Sequence, residues 1–373
     1  MSGLTSANQG NLLVFQPKPD LPPPRQIVGI IGWTRVNLFK GWIHTVLTLA
    51  ACLLLYKTIP PLLSWAIFDA VWVGGPAACP AGAKGACWPF IVDKFRVLMV
   101  GLYPHEYLWR PLLSVVIFIV LSLVSAMRLL SNRKLVSLWI VLPVLLFWLV
   151  NGGMWLAPVD QSLWGGLMLS LGLALVGILV SLPMGICLAL GRRSNFAVIK
   201  ALCIGIIEPV RGVPLITILF MASVMMPLFL PVGMEVNNLL RVQVGIILFS
   251  AAYMAEVVRG GLQGIPRGQY DAAKSIGLNY WKATFFVILP QALRHVVPSL
   301  IGRCIALFKD TSLVIIVGLL DFLGMIKASA QDPEWLGHDA EAYVFCALIY
   351  WIICFSMSRY GRSLEELREK EAE

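Results

Sequence analysis

The stretch QYDAAKSIGLNYWKATFFVILPQALRHVVPSL, residues 269–300, decides the fold. It lies between long apolar runs, yet its first half is polar and broken by turn residues. Pro266 suits the first turn of a helix, where a missing N–H would go unpaired anyway. A short helix then covers 266–276 and Gly277 takes a left-handed stop. Asn279 caps a second helix, which runs to Leu289 before Pro290. Three- and four-residue spacing puts Tyr270, Ala273, Ile276 and Gly277 on one face. Ala272, Ala273 and Gly277 carry little bulk, so another surface can approach the backbone there. Arg267 and Lys274 keep the segment in water. Such a segment is either a docking element or an ordinary interfacial loop between two spans.

The surroundings are lipid-soluble. Of 373 residues, 58% are hydrophobic and 13% charged, with mean hydropathy +0.81. Soluble domains carry about 25% charged residues, so most of this chain is solvated by lipid or by other spanning helices. The net charge of +9 is therefore not a nucleic-acid signature. Searching for about 20 apolar residues between charges gives eight spans, near 43–68, 110–130, 135–157, 165–190, 201–223, 237–258, 291–320 and 341–360. The first holds Lys57, Pro60 and Pro61, so it kinks or tilts. The seventh holds Arg303, Lys309 and Asp310 and is the poorest on hydropathy. With the N-terminus inside, 19 of the 29 lysines and arginines fall in inner segments and five in outer ones. Basic residues mark the cytoplasmic side, so both termini are expected inside. The fold class is an all-α polytopic membrane protein of about eight transmembrane helices.

No apolar signal core opens the chain, and residues 1–26 read as a polar cytoplasmic tail. Residues 27–42 either lie flat at the inner interface or form the frayed start of the first span. Six of the eight cysteines fall within spans as small apolar side chains. Cys79 and Cys87, in the outer loop 69–109, would permit a disulfide in an oxidising compartment. No Cys/His spacing suggests a metal site. Neither the phosphate-binding loop, nor H-E-x-x-H, nor G-x-S-x-G is present. The chain reads as a pore or carrier, and any ATP it uses must bind another subunit.

D271-A-A-x-x-x-G277-x(9)-V287-x-L-P290 closely resembles the EAA loop of ABC importer permeases, with Asp271 in place of Glu and Val287 in place of Ile. AAYMAEVVRGGLQGIPRGQYDAAKSIGLNYW, VILPQALRHVVPSL, IALFKDTSLV and EPVRGVPLITILF resemble the polar amino-acid permease family over roughly 165–365. The N-terminal part, with three extra spans and a loop ending YPHEYLWR, resembles the longer M-type permease subunit of general L-amino-acid importers. The resemblance implies a type I permease core of five helices and a non-catalytic role. It implies a second, non-identical permease, two ATPase subunits that carry ATP and Mg, and a periplasmic amino-acid-binding protein. L-amino acids would be the cargo. On this reading Arg267, Asp271, Ala272, Ala273, Gly277 and Pro290 form the ATPase-coupling element. Asp271 would offer its carboxylate to the ATPase or to the helix N-terminus. The domains are then a tail and interfacial helix at 1–42, a three-helix extension at 43–157, the permease core at 158–360 with its coupling loop at 259–290, and a cytoplasmic tail at 361–373.

Charges within spans are costly and each asks for a partner or a function. Glu208 and Arg211 are three apart, as are Glu256 and Arg259, both within the string E-x-V-R-G. Helical spacing allows each pair to neutralise itself. The functional reading places Glu208, Arg211, Met254 and Glu256 on the substrate path: Arg211 for a carboxylate, an acid for the ammonium, methionine as adaptable apolar surface. Lys309, Asp310 and Thr311 match the family's K-D-T-S-[LM] motif. With Arg303 they read as a polar brace for the gate or for the partner permease. Trp72, Trp88, Tyr103, Tyr107 and Trp109 read as interfacial anchors or as a docking platform. The acidic loop 321–341 reads as solvated charge that can steer a partner. From the residues alone, an ion-gradient carrier using Glu208, Glu256 and Asp310 as a proton relay stands beside the ATP-driven importer.

Overall fold

The computed structural model describes residues 29–372 apart from 81, 83 and 232; the expected tail at 1–26 lies outside them. The chain divides into two compact units at Asp69. The first unit holds α1 (Gly29–Asn37) and α2 (Trp42–Leu63). Thr48 donates to the Leu38 carbonyl (2.8 Å), fixing the turn between them. Pro60 and Pro61 cannot donate to the preceding turn, and α2 passes into a π-helical turn over Ser64–Phe68.

The second unit is built on α6 (Gly166–Arg192), α9 (Asn238–Gln263) and α12 (Leu289–Asp310). A Cβ on Gly185 would lie 2.8 Å from the Met254 Cβ and 3.0 Å from the Ala251 oxygen. Only glycine lets α6 and α9 approach this closely. Leu169, Leu173, Ile246, Phe249, Leu307 and Phe308 fill the middle of the interface. α4 (Trp109–Ala126) and α5 (Asn132–Asn151) pair with each other, and α5 rests on α6.

Among the described residues, six helices are long and apolar enough to cross a membrane, and seven if a bent pair counts as one. The eight expected spans need two corrections. The span 201–223 is two helices, α7 (Ala197–Gly212) and α8 (Leu215–Phe220, continued to Phe229), bent by 111°. Pro214 drives the preceding residue out of the helical region, and Val213 is extended at φ −117°, ψ 151°. The span 291–320 stops being α-helical at Asp310 and continues as a tight turn to Val317. Arg294, Arg303, Lys309 and Asp310 keep it outside the apolar set.

At the end of the bundle away from residues 267–277, two segments expected to be loops fold together. Val71 accepts from Trp88 N–H (3.0 Å) and donates to Ala86 (2.8 Å). Cys79 and Cys87 are joined as a disulfide within that turn. α3 (Pro89–Val100) follows, and α13 (Phe322–Ala330) lies against α3, α6 and α14 (Asp339–Ala372). Phe90, Leu98, Phe322, Ile326 and Trp335 form its core. The acids of 321–341 are correspondingly not all solvated. Asp321 is fully buried and caps α13, accepting from Gly324 (3.0 Å) and Leu323 (3.3 Å). Glu341 is buried and accepts from Cys87 N–H (2.8 Å). Buried His338 sits 3.4 Å from Glu341 and 3.3 Å from the Cys79 carbonyl. Asp332 holds Lys94 at 2.7 Å; Glu334 and Asp339 are exposed. Tyr103, read as an anchor, is fully buried and donates to Val150 (2.6 Å). α14 is continuous to Ala372.

Candidate functional site

α9 ends at Gln263, and α10 (Arg267–Ser275) begins directly after Pro266, which precedes the helix at φ −58°, ψ 144°. The stop is at Gly277, φ +78°, where an L side chain would be strained. Gly277 N–H reaches Lys274 (2.9 Å) and Leu278 N–H reaches Ala273 (3.1 Å), satisfying the last carbonyls. Asn279 then caps α11 (Tyr280–Lys282) through Lys282 N–H at 2.9 Å. Pro290 does not end the second helix, as had been expected. The chain runs through a π-helical turn, Ala283–Ile288, into α12 with Pro290 in its first turn. There the missing N–H is tolerated because the widened turn has already shifted the bonding pattern.

The loop is braced from behind. Tyr270 donates to the Leu262 carbonyl (3.4 Å) and lies 6.0 Å from the Arg193 guanidinium. Gln291 donates to Gln269 (3.1 Å). α10 packs on the turn 283–288, and Ala273, 2% exposed, is its buried residue. The sequence reading put Ala272 and Ala273 together in the docking role. The structure separates them: Ala273 faces its own chain, while Arg267, Asp271, Ala272, Lys274, Ser275 and Ile276 face outward. Ala273 is thus covered by its own chain, and Ala272, one residue before it, is open to water. Pro290 is exposed but on α12, outside α10.

Two turns before α9 ends, about 10 Å along its axis, a charge cluster spans α6, α7 and α9. Glu256 binds Arg259 closely (Nε at 2.9 Å), with Arg192 at 3.4 Å and Arg211 at 3.5 Å. Glu208 pairs with Arg192 at 2.7 Å. Self-neutralising i,i+3 pairs are therefore only half realised. Glu256–Arg259 forms, but Glu208 turns to Arg192 and Arg211 to Glu256. Tyr253, unremarked in the sequence, lies between two guanidiniums, Arg303 at 4.2 Å and Arg211 at 5.6 Å from its ring. Its spacing of three from Glu256 was the available signal.

The remaining members of the expected sets lie elsewhere. Met254 is 1% exposed, packed under Gly185 with Ser181 donating to its sulfur (3.3 Å). Lys309 is exposed, Asp310 half-buried, and Thr311 buried with its hydroxyl on the Phe308 carbonyl (2.7 Å). Among the described residues Lys309 and Asp310 form no ion pair.

Residues 177–368 match the profile of the family described as binding-protein-dependent transport system inner membrane component. The chain is 50% identical, over 93% of its own length and 95% of the relative's, to the inner membrane amino-acid ABC transporter permease protein YhdY of Escherichia coli strain K12. It is 36% identical, over 94% and 96% of the two lengths, to the glutamate/glutamine/aspartate/asparagine transport system permease protein BztC of Rhodobacter capsulatus. Among solved structures, a crystal structure of an amino acid ABC transporter with histidines is 28% identical. It covers 54% of this chain and 92% of that one at a TM-score of 0.48.

Proposed function

The chain belongs to the family of binding-protein-dependent transport system inner membrane components, and from that premise we propose that it is the permease subunit of an ATP-driven amino-acid importer. The observation that carries this reading is the exposed α10 helix, held by Gly277 and braced against α9 and α12. A rigid, water-exposed helix fixed at the foot of two spans passes a push from outside into the bundle. ATPase subunits press on Asp271, Ala272 and Ile276, and α9 carries the displacement to Glu256. Hydrolysis occurs on those subunits, which hold ATP and Mg; this chain contributes gate and passage. A binding protein delivers the amino acid from the outer side, and a second, non-identical permease completes the pathway. Both termini lie inside, following the basic residues.

For the cargo, the two guanidiniums flanking Tyr253 supply forked donors for an α-carboxylate. Glu256 is shared by three arginines, whereas half-exposed Glu208 has Arg192 alone, so Glu208 is the acid more open to the ammonium. The proton-relay alternative is not carried forward, because the relatives that span nearly the whole chain are permeases of ABC transporters and transport systems of that family.

The test is uptake of radiolabelled amino acids by proteoliposomes holding the full transporter. Uptake is expected to require ATP, the ATPase and the binding protein, and to survive collapse of the ion gradients. Uptake without the ATPase would end the proposal.

A further inference from the structure

α14 has 34 residues, about 51 Å at 1.5 Å per residue, against a hydrocarbon core of about 30 Å. Its two faces differ. Cys346 is buried in the bundle, and buried Gly361 meets Ile301 of α12. On the opposite side Val344, Leu348, Trp351, Ile352 and Phe355 are all exposed. Helical spacing aligns them in one ridge, with Trp351 and Phe355 stacked at 5.2 Å. One turn further, the same ridge becomes cationic. Phe355, Ser356, Arg359, Tyr360, Arg362 and Ser363 line a shallow cavity of about 390 Å³. Neither arginine enters any ion pair among the described residues.

We propose that this ridge binds one anionic phospholipid. The headgroup phosphate sits on the Arg359 and Arg362 guanidiniums, within reach of the Tyr360 hydroxyl, and an acyl chain follows Leu348, Trp351 and Phe355. Three features select a lipid. The apolar run from Val344 to Phe355 is about 17 Å long, close to one leaflet, half of the ~30 Å core. Aromatic rings followed by arginines reproduce the order met on leaving the hydrocarbon for the headgroup level. Two guanidiniums that have no carboxylate partner among the described residues offer a phosphate paired N–H donors. Free phosphate shares that chemistry but would leave the aromatic ridge uncovered.

The experiment uses the full chain purified in neutral detergent, with retained lipid read by native mass spectrometry after exposure to phosphatidylglycerol or phosphatidylcholine of equal chain length. Phosphatidylglycerol should be preferred roughly thirtyfold, the effect of two basic side chains at an anionic surface. Arg359→Gln with Arg362→Gln should remove the preference, and the corresponding lysine pair should restore most of it. Inorganic phosphate should not displace the lipid. Equal retention of the two lipids by the unmodified chain would overturn the proposal without recourse to any variant. So would an undiminished preference in the glutamine pair, displacement by inorganic phosphate, or photo-cross-links from position 359 that reach a protein subunit instead of lipid.

Discussion

Two adjacent alanines in α10 offer a separation of folding from coupling. Ala273 is 2% exposed against the turn 283–288, whereas Ala272 faces water. Ala273→Leu forces three extra carbon atoms into a filled site, an overpacking cost of about 1–3 kcal/mol. The loop has few other contacts to share that cost, so it appears as local opening. At 1.4 kcal/mol per tenfold, backbone amide exchange across 267–288 should accelerate by roughly 5–150-fold. Ala272→Leu adds the same atoms on the outward side, and its exchange should stay within about twofold. Under the proposed function, Ala272→Leu nonetheless lowers ATP-driven uptake by obstructing the ATPase contact, while the chain inserts normally. Hydrogen–deuterium exchange of both variants, with proteoliposome uptake beside it, tests both halves. Unchanged exchange in Ala273→Leu would refute the packing assignment. Full uptake by Ala272→Leu would refute the docking one.

Other expectations follow from the same geometry. Glu256→Gln strips three guanidiniums of a shared carboxylate about a quarter exposed. The loss lies between the ~1 kcal/mol of exposed pairs and the 3–5 kcal/mol of buried ones, about 2 kcal/mol. The thermal midpoint should fall, and adding Arg259→Gln should cost less than the sum of the two singles. Gly185→Val drives a Cβ to 2.8 Å from Met254 and 3.0 Å from a backbone oxygen, so the purified chain should lose thermal stability. Gly172→Ala, where the added carbon meets nothing within 4 Å, should not. The Asp332 carboxyl is held below its ordinary value, first by its bond to Lys94; the Lys94 ammonium is held above its own, first by Asp332. The carboxylate contributes stability above its unfolded value of about 4, lost as pH falls through the lowered one. The ammonium contributes below about 10.4, lost as pH rises through the raised one. Thermal melts from pH 6 to pH 3 should therefore steepen for the unmodified chain and flatten in Asp332→Asn; parallel curves would exclude the pair.

The sequence by itself determined the membrane class, the helical content and the family. Apolar runs, basic asymmetry and the spacing from Asp271 to Pro290 are properties of chain order, which no later packing can rearrange. Gly277 and Asn279 were legible for the same reason: a left-handed stop and an N-cap act within four residues. What only the tertiary structure decided is which groups meet across helices. Spacing paired Glu208 with Arg211, but an arginine side chain reaches far enough for Arg192, on another helix, to take Glu208 instead. Small bulk likewise suggested Ala273 for close approach by another surface, and only the π-helical turn beyond Gly277 shows which face its own chain covers. The acidic loop 321–341 looked solvated because its partners, Lys94 and the amide of Cys87, lie more than 200 residues away. Burial and ion pairing depend on long-range contact, and a linear pattern carries that information only where the contact is local.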